Sequence, residues 1–529
     1  MEHFSITFKP DDKRICIRAG STLLDATNQA GIVLNTFCGG KGTCRKCLVV
    51  VDPKQEQVLA CQHTVESDLT VTVLPDSRFF EQKILEHGID TQVDIDAAVC
   101  KEHRQGIAAK TAYGLAVDIG TTTVVAKLIN MTDGQVEATQ ATLNPQTKFG
   151  DDVVSRIAYA QTAERLTELH KTVVGCINEL VARLCERTSI EAEQICEMCV
   201  VGNTTMSHIF LNLPVVQLGR APYSAYSLDA HDVPAAHLGL QMSPAGNIHT
   251  VENIAGFVGS DTTAVALAVD IASAEGMTLV VDIGTNGELV LGTQDRLYAA
   301  SCAAGPALEG ARIAHGSRAA DGAIEAVLAN DDIDLGVIGN SPARSICGSG
   351  LVDAVAMLLD SGIIDETGRF RSPNDVSGEL SPAMLARIIE QEGQLAFCLA
   401  YDGDTARPKV TLTQKDVREV QLAKGAIRTG IRLLQNRLGL KDSDIEHILL
   451  AGAFGTYIRR ESALRIGLLP DVPPERIRFV GNAASSGARM ILLSRKCRAK
   501  AKELARKIEY VEIAHEPDFQ MVYADSMVF

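Results

Sequence analysis

The chain has 529 residues, of which 46% are hydrophobic and 22% charged, and its formal net charge at neutral pH is −16. The length predicts about three or four domains of ordinary globular composition. The acidic balance argues against general binding to nucleic acid or anionic membranes, because both need a basic surface. No apolar run is long enough to cross a bilayer, and the start of the chain lacks the segments of a signal peptide. We therefore expect a cytoplasmic protein that binds neither nucleic acid nor membrane.

The fourteen cysteines need an explanation other than disulfides, because thiols stay reduced in the cytoplasm. Most of them are scattered singly, and we interpret these as small core residues. The pair Cys196 and Cys199 lies in a strand-like stretch without a second pair, and we interpret it in the same way. Four other cysteines follow one another with the spacing C-x5-C-x2-C-x13-C: Cys38, Cys44, Cys47 and Cys61.

Around these four cysteines the sequence predicts a small α+β domain. Alternating apolar residues at 4–8 and 15–17 predict a hairpin, and Ser21 or Thr22 is placed to cap a following helix. A strand at 48–51 and a closing strand at 69–74 complete the predicted domain. The segment resembles the β-grasp ferredoxins, whose plant-type cysteine spacing differs by one residue in the first gap and by a longer last gap.

The spacing of the four cysteines favours an iron–sulfur cluster. A [2Fe–2S] cluster needs four thiolates that converge on two irons, and a glycine-rich loop lets backbone amides bend towards the sulfides. Zinc sites are commonly built from two C-x2-C pairs, whereas the outer cysteines here are unpaired. The C-x2-C-x2-C-x3-C run of [4Fe–4S] ferredoxins is absent. We predict a [2Fe–2S] cluster, with zinc or purely structural cysteines as the alternatives.

After a polar stretch that predicts a linker at 76–110, one motif occurs twice. Residues 115–121 and 279–285 are identical at six of seven positions, at a separation of 164 residues. Each copy lies in an apolar strand that continues into a second one, which predicts a strand–turn–strand hairpin. Backbone N–H groups and hydroxyls of such a turn can cradle phosphate, and its Asp can hold a metal-bound water. Two such hairpins facing each other would hold one polyphosphate from both sides.

With this duplication the chain resembles the actin, Hsp70 and sugar-kinase ATPases. Residues 448–455 are similar to the adenosine motif, in which a strand runs into a glycine-rich turn. Residues 255–261 and 481–488 are similar to the two connecting helices, whose small residues let the helices cross closely. A P-loop is excluded, because the sequence contains no G-x-x-x-x-G-K-[ST].

A ferredoxin segment fused to this ATPase core resembles a narrower family, the reductive activators of corrinoid proteins. The distinctive stretches of the resemblance lie at 201–206, 302–310 and 346–353. Some members carry a separate middle domain, and the position of Asp118 directly after the linker predicts that it is missing here. Asn203 and Thr204 end an apolar strand at a glycine, which favours a loop that faces the cleft.

The resemblance implies a two-part site. Asp118 and Asp282 are the predicted catalytic residues, which hold Mg²⁺ through its water ligands. The cluster would be bound by the four cysteines of the first domain. The predicted ATP contacts come from the two hairpin turns and the adenosine motif: Gly120, Thr121, Thr122, Gly284, Thr285, Asn286, Gly287, Gly452 and Gly455.

The implied activity is ATP-dependent transfer of one electron from the cluster to Co(II) of a corrinoid protein, which regenerates Co(I) for methyl transfer. The implied partners are the corrinoid protein of a methyltransferase system and an upstream electron donor, and a homodimer is allowed. Two alternatives stay open. One is an ATP-dependent chaperone-like module with a sensory or structural cluster, and the other, a metabolite kinase, would not need the ferredoxin domain.

The predicted fold is therefore an α+β β-grasp ferredoxin domain followed by a two-lobed α/β ATPase domain of the actin/Hsp70, RNase H-like type. The predicted boundaries are residues 1–75 for the ferredoxin domain, 76–110 for the linker, 111–275 for the first ATPase lobe and 276–529 for the second. We expect the C-terminal connecting helix and the tail to return to the first lobe.

Overall fold

The computed structural model describes the chain except residues 1–2, 11, 31, 33, 35–41, 43–46, 54, 75–76, 78–92, 97–110, 404 and 453–457. Cys38, Cys44, Gly455 and most of the predicted linker lie outside the described residues. The chain divides into two compact units, one of residues 1–82 with 146–151 and one of residues 83–145 with 152–529. Within the described residues, no helix is both long and apolar enough to span a membrane.

The N-terminal unit is a five-stranded sheet with one helix, and it confirms the predicted β-grasp fold. Its strands lie in the order β2–β1–β5–β3–β4, with β1 and β5 parallel at the centre and the other pairs antiparallel. Thr22 caps the helix, because its hydroxyl accepts from the N–H of Asp25 at 3.1 Å. The elements are β1 (His3–Lys9), β2 (Lys13–Arg18), α1 (Leu23–Gln29), β3 (Leu48–Asp52), β4 (Glu56–Leu59) and β5 (Leu69–Val73).

The first half of the larger unit is built on a six-stranded sheet in the order β10–β11–β9–β6–β7–β8. The first three strands along the chain form an antiparallel meander, and two parallel strands follow beside the first of them. The elements are β6 (Tyr113–Ile119), β7 (Thr123–Asn130), β8 (Val136–Leu143), α2 (Val153–Tyr159), α3 (Ala163–Thr188), β9 (Ile195–Gly202), α4 (Thr204–Phe210), β10 (Asp232–Pro234), α5 (Ala235–Leu238), β11 (Asn247–Thr250) and α6 (Ser260–Ala268).

The second half has another six-stranded sheet and two small three-stranded ones. The elements as far as the long helix are β12 (Thr278–Ile283), β13 (Gly287–Gly292), β14 (Leu297–Cys302), β15 (Ala323–Ala329), β16 (Ile333–Val337), β17 (Ser345–Ile346), α7 (Gly348–Asp360), α8 (Pro373–Val376), α9 (Pro382–Ala386), β18 (Ile388–Gln391), β19 (Gln394–Tyr401), β20 (Pro408–Thr413) and α10 (Gln414–Leu438). The remaining elements are β21 (His447–Ala451), α11 (Arg460–Arg465), β22 (Ile477–Gly481), α12 (Ala483–Leu493), α13 (Arg495–Lys507), β23 (Ile508–Tyr510) and α14 (Phe519–Met527).

The two large sheets repeat one strand order, β8–β7–β6–β9–β11 in the first and β14–β13–β12–β21–β22 in the second. In both, the parallel strands lie beside the first strand of the meander. This internal repeat confirms the predicted two-lobed, RNase H-like architecture. The duplicated motif occupies the same place in each sheet, at the end of the central strands β6 and β12.

The connecting helices α6 and α12 cross where the sequence places small residues. A Cβ atom added at Gly487 would lie 2.1 Å from the carbonyl oxygen of Ala264, so only glycine allows this separation. Helix α12 also packs on β6 and β9, and apolar residues of both sheets share a core with the two helices. The connecting helix therefore belongs to the second half in sequence and packs on the first sheet.

The segments after this helix contact both halves. Helix α13 packs on α6, and Arg498 forms an ion pair with Glu197 of β9. Strand β23 pairs with β14 of the second sheet, and α14 packs on α10. The side-chain amide of Gln421 donates to the carbonyl of Met527 at 3.0 Å, and the N–H of Phe529 donates to the carbonyl of Glu366 at 2.9 Å. The free edge of β14 decides this placement, because it offers unpaired backbone groups to a passing strand.

The helix crossing gives a testable prediction. We expect Gly487→Ala to lower the free energy of unfolding by about 1–3 kcal/mol, because the added methyl group must push two backbones apart. Gly175→Ala is the matched control, since Gly175 lies in α3 with open space around its Cβ position and should gain about 0.5–1 kcal/mol in helix propensity. Chemical denaturation of both variants measures the difference, and equal stability of the two would contradict the close crossing.

Candidate functional site

Two of the four predicted cluster cysteines lie among the described residues, and the fold brings them together. Cys47 precedes β3 and Cys61 follows β4, and the pairing of these strands places the two thiols side by side. Their Sγ atoms are 3.4 Å apart, and both residues are buried, with 1% and 7% of their surface exposed. Two convergent buried thiols fit one side of an iron–sulfur cluster, which needs pairs of thiolates on each iron.

The two duplicated motifs form the predicted hairpins, but their turns differ in length. Ile119 pairs with Val124 across the first turn, whereas Ile283 pairs with Gly287 across the second, so the first turn is one residue longer. The turns nevertheless meet, because the hydroxyls of Thr122 and Thr285 lie 2.8 Å apart. Residues separated by 163 positions therefore share one hydrogen bond at the centre of the candidate nucleotide site.

Three buried polar side chains bind the first turn, two at its backbone and one at a threonine hydroxyl. Asn144 donates to the carbonyl of Gly120 at 2.9 Å, and Arg156 donates to the carbonyl of Thr121. Asn203, which caps α4 directly after β9, donates to the hydroxyl of Thr121 at 3.0 Å. Asn203 therefore lies beside the first hairpin turn, but the predicted loop is the start of a helix, and Thr204 is buried as its first residue. Because the carbonyls have these partners, the turn has a set shape into which phosphate can dock.

Four carboxylates surround the mouths of the two turns. Burial and the neighbouring charges of Asp261 and Asp282 raise the pKa of Asp118 to about 8, against the opposing effects of Lys127 and a hydrogen bond from Asn482. Burial and the charge of Asp261 raise the pKa of Asp282 to about 7.

The pKa values of the other two carboxyl groups, Asp261 and Glu288, are raised as well. Burial raises the pKa of Asp261, and burial with the charges of Asp261 and Asp282 raises that of Glu288. Such crowding of negative charge fits a divalent cation, which would let all four groups ionise. Within the described part of the chain, no three His, Cys, Asp or Glu side chains are arranged to ligate one metal ion directly.

The second turn has a carboxylate partner of its own. The hydroxyl of Thr285 donates to Glu309 Oε1 at 2.9 Å, and this uses its single proton. The bond between the two threonines must then run from Thr122 to Thr285. A directed chain from Thr122 through Thr285 to Glu309 therefore joins the first hairpin to the loop after β14.

One glycine of the predicted adenosine motif, Gly452, also lies at this site. Gly452 follows β21, which lies parallel to β12, and a Cβ atom added to it would lie 2.6 Å from Asp282 Oδ1. Its φ of +87° is a conformation that glycine adopts without penalty. The predicted nucleotide-contacting glycine is therefore held against a predicted catalytic carboxylate.

Sequence reasoning missed several residues of this site. Asp261 belongs to a stretch that was compared with the first connecting helix, and its position in the first helical turn could have identified it. Glu288 could have been found as the residue six positions after Asp282, directly opposite it in the hairpin. The sequence does not identify three further residues, because nothing in their local sequence indicates which hairpin turn they bind: Asn144, Arg156 and Glu309.

Comparisons with protein families match the chain in three consecutive segments. Residues 4–74 match a 2Fe-2S iron-sulfur cluster binding domain, residues 113–274 the RACo middle region, and residues 276–529 the C-terminal ASKHA domain of RACo. The match to the middle region covers the first half of the ATPase, whose six-stranded sheet carries Asp118. The expectation that a separate middle domain is missing stays a prediction.

Relatives extend this match over the whole length of the chain. The chain is 34% identical to the corrinoid activation enzyme RamQ of Eubacterium limosum, over 98% of both proteins. It is 26% identical to a [Co(II) methylated amine-specific corrinoid protein] reductase of Methanosarcina barkeri, over 78% of this chain and 76% of the other. Among solved structures, a reductive activator for corrinoid, iron-sulfur protein is 33% identical with a TM-score of 0.73, over 99% of this chain and 98% of the other.

The fold and the two candidate sites define an iron–sulfur protein fused to an ATPase of the actin and sugar-kinase type. The chain belongs to the family of reductive activators of corrinoid proteins. The iron–sulfur cluster and the ATP site are therefore features of the family to which this chain belongs.

The cysteine geometry predicts the effect of removing one thiol. We expect Cys47→Ser to abolish most of the visible absorption and reduced-state EPR signal of the purified protein, because it removes one of the four predicted ligands. Cys16→Ser is the control, since Cys16 is an exposed free thiol on β2 and should leave the spectra unchanged. A colourless wild-type protein with stoichiometric zinc would contradict the cluster assignment.

The crowded carboxylates predict a pH-dependent effect on stability. Because the pKa of Asp118 is raised to about 8, the folded protein keeps a proton that the unfolded chain loses above its ordinary pKa of 3.8. Stability therefore falls as the pH rises through this window. We expect Asp118→Asn to melt at a higher temperature than wild type without nucleotide, with the gap widening from pH 5 to pH 8.

The exposed Asp133 provides the control for this experiment. Asp133→Asn should show no such widening, because its carboxylate lies in a solvent-exposed turn. The Asp118→Asn variant should also turn over ATP at least about tenfold more slowly, equivalent to about 1.4 kcal/mol on the barrier. A variant that melts below wild type at both pH values would show that the carboxylates are not crowded.

Proposed function

We propose that this chain reactivates the corrinoid protein of a methyltransferase system by reducing its Co(II) to Co(I) in an ATP-dependent step. The observation that carries the proposal is the presence, in one chain, of a buried convergent thiol pair and two facing Asp-Ile-Gly-Thr turns. The collinear relatives named for corrinoid activation and for Co(II) corrinoid protein reduction support the choice of substrate.

A [2Fe–2S] cluster, held by Cys38, Cys44, Cys47 and Cys61, would supply the single electron. The cysteine spacing and the 3.4 Å approach of two of the thiols support this type of cluster. The protein keeps this pair in a buried position, so that solvent is held away from the sulfur atoms. Each Co(II) reduced consumes one electron, so we also propose an upstream donor that reloads the protein after each turnover.

We propose that Asp118 and Asp282 hold Mg²⁺ through its water ligands, with Asp261 and Glu288 as further acceptors. The raised pKa values of all four carboxyl groups support this role, since a bound cation would replace the protons they otherwise keep. The predicted phosphate contacts are the backbone N–H groups of the two turns and the hydroxyls of Thr121, Thr122 and Thr285.

The threonine chain suggests how nucleotide alters the protein. Phosphate oxygens accept hydrogen bonds only, so a phosphate bound between the turns would compete with Glu309 for the proton of Thr285 and with Thr285 for that of Thr122. ATP would then exchange the direct contact between the hairpins for contacts through its phosphates. We propose that this exchange shifts the equilibrium between two arrangements of the ATPase halves, only one of which docks the corrinoid partner. A homodimer stays a prediction of the sequence.

Variants that lose either the cluster or the nucleotide site test this proposal. We expect full-length Cys47→Ser to keep basal ATP turnover and to produce no Co(I) absorption band from an added Co(II) corrinoid protein. Asp282→Ala should hold a normal, reducible cluster and deliver its electron at least about tenfold more slowly, because the proposed Mg²⁺ site loses one of its carboxylates. Wild-type protein without ATP should behave like the second variant.

The affinity for the corrinoid partner provides the stricter test. We expect the Co(II) form to bind more tightly than the Co(I) form, with nucleotide changing that preference, because a ligand shifts an equilibrium only through differential binding. Equal affinity for both forms, with and without ATP, would contradict the proposal and favour a chaperone-like module. Phosphorylation of a small metabolite by the protein would favour a kinase instead.

A further inference from the structure

The side chain of Gln62 lies over the sulfur of a predicted cluster ligand. Its amide nitrogen Nε2 is 3.2 Å from the backbone carbonyl oxygen of Cys61 and 3.6 Å from Cys61 Sγ. A carbonyl oxygen only accepts hydrogen bonds, so the NH₂ end of the amide must face it. One of the two N–H groups can then bond the carbonyl while the other points to the sulfur.

One contact fixes the main chain at Gln62 and another confines its side chain. The backbone N–H of Gln62 donates to the carbonyl of Leu59 at 2.9 Å, in the turn that follows β4. Its methylene stem lies against Gly42 of the cysteine-rich loop, where an added Cβ atom would be 3.0 Å from Gln62 Cγ and 3.1 Å from Cδ. Gly42 also has a φ of +78°, so a glycine suits this position for two reasons.

The position of the amide has an electrostatic consequence. Reduction of an iron–sulfur cluster adds one negative charge, part of which resides on the ligand sulfurs. A hydrogen bond to such a sulfur stabilises the reduced state more than the oxidised one and raises the reduction potential. Cys61 is buried and Gln62 is exposed beside it, so the amide is placed to donate to the sulfur from the protein surface.

We propose that Gln62 is a positioning residue that sets the reduction potential of the cluster through its bond to Cys61 Sγ. The inference rests on the cluster of the proposed function and adds a residue that determines how easily the cluster is reloaded. A higher potential helps an upstream donor to reduce the cluster and lowers the driving force for reducing Co(II). Gln62 thus sets the balance between these two electron transfers.

Redox titration of the full-length, cluster-loaded protein tests this inference without the corrinoid partner. Gln62→Met keeps the length and stem of the side chain and removes both N–H donors. We expect its equilibrium constant for one-electron reduction to fall about three- to tenfold, where tenfold equals about 59 mV. Gln62→Glu replaces the donor with a negative acceptor and should lower the constant further. The EPR g-values of the reduced cluster should shift in both variants.

Gln57→Met is the matched control, because Gln57 is an exposed residue on β4 of the same sheet and should leave the potential unchanged. A Gln62→Met potential equal to that of the control would overturn the inference. A Gln62→Met protein that fails to load a cluster leaves Gln62→Glu to decide, and a wild-type potential in that variant would overturn it as well. A colourless wild-type protein would refute the proposed function itself, so the two failures are distinguishable.

Discussion

The ATPase part of this protein depends on the repulsion between carboxylates that two duplicated hairpins bring to one cleft. Asp118 and Asp282 end the central strands of two similar sheets, and Asp261 and Glu288 add further negative charge between them. Each group would titrate below pH 5 in water, yet burial and its neighbours raise its pKa. An arrangement that costs free energy in the absence of a cation is characteristic of a binding site rather than of a structural core.

The rest of the ATPase fold keeps these charges close together. Helices α6 and α12 cross tightly at Gly487, and the core around them contains residues of both sheets. Lys127 and Asn482 partly offset the charge of Asp118, and Asn144 and Arg156 hold the turn beside it. The bond from Thr122 to Thr285 then joins the two hairpins directly. Nucleotide would act on this bond, which explains why a small ligand could alter the relation between two large sheets.

The N-terminal unit has its own sheet and core, and its sequence contains the predicted cluster cysteines. Its core is small, and two of the predicted cluster cysteines, Cys47 and Cys61, lie at the ends of adjacent strands. Gln62 shows that the turn after β4 does more than reverse the chain, since its side chain reaches back to the sulfur. The electron carrier and the nucleotide site thus have independent folding cores, and the family combines them in one chain.

The sequence by itself determined the features that depend on neighbours along the chain. The cysteine spacing, the two Asp-Ile-Gly-Thr hairpins and the small residues of the connecting helices are local patterns, and strand alternation and turn chemistry are read directly from such patterns. The resemblance to the activator family followed from the order of these motifs. Only the tertiary structure decided which distant residues meet.

Glu309, Asn144 and Arg156 bind the two hairpin turns through contacts that no local pattern encodes. The one-residue difference between the turns changes which of their groups face each other. Strand β23 likewise pairs with the open edge of β14, a contact that its own sequence does not indicate. The physical reason is the same in each case. Local conformation depends on propensities of adjacent residues, whereas electrostatic crowding and hydrogen-bond direction depend on atoms that folding brings together from distant parts of the chain.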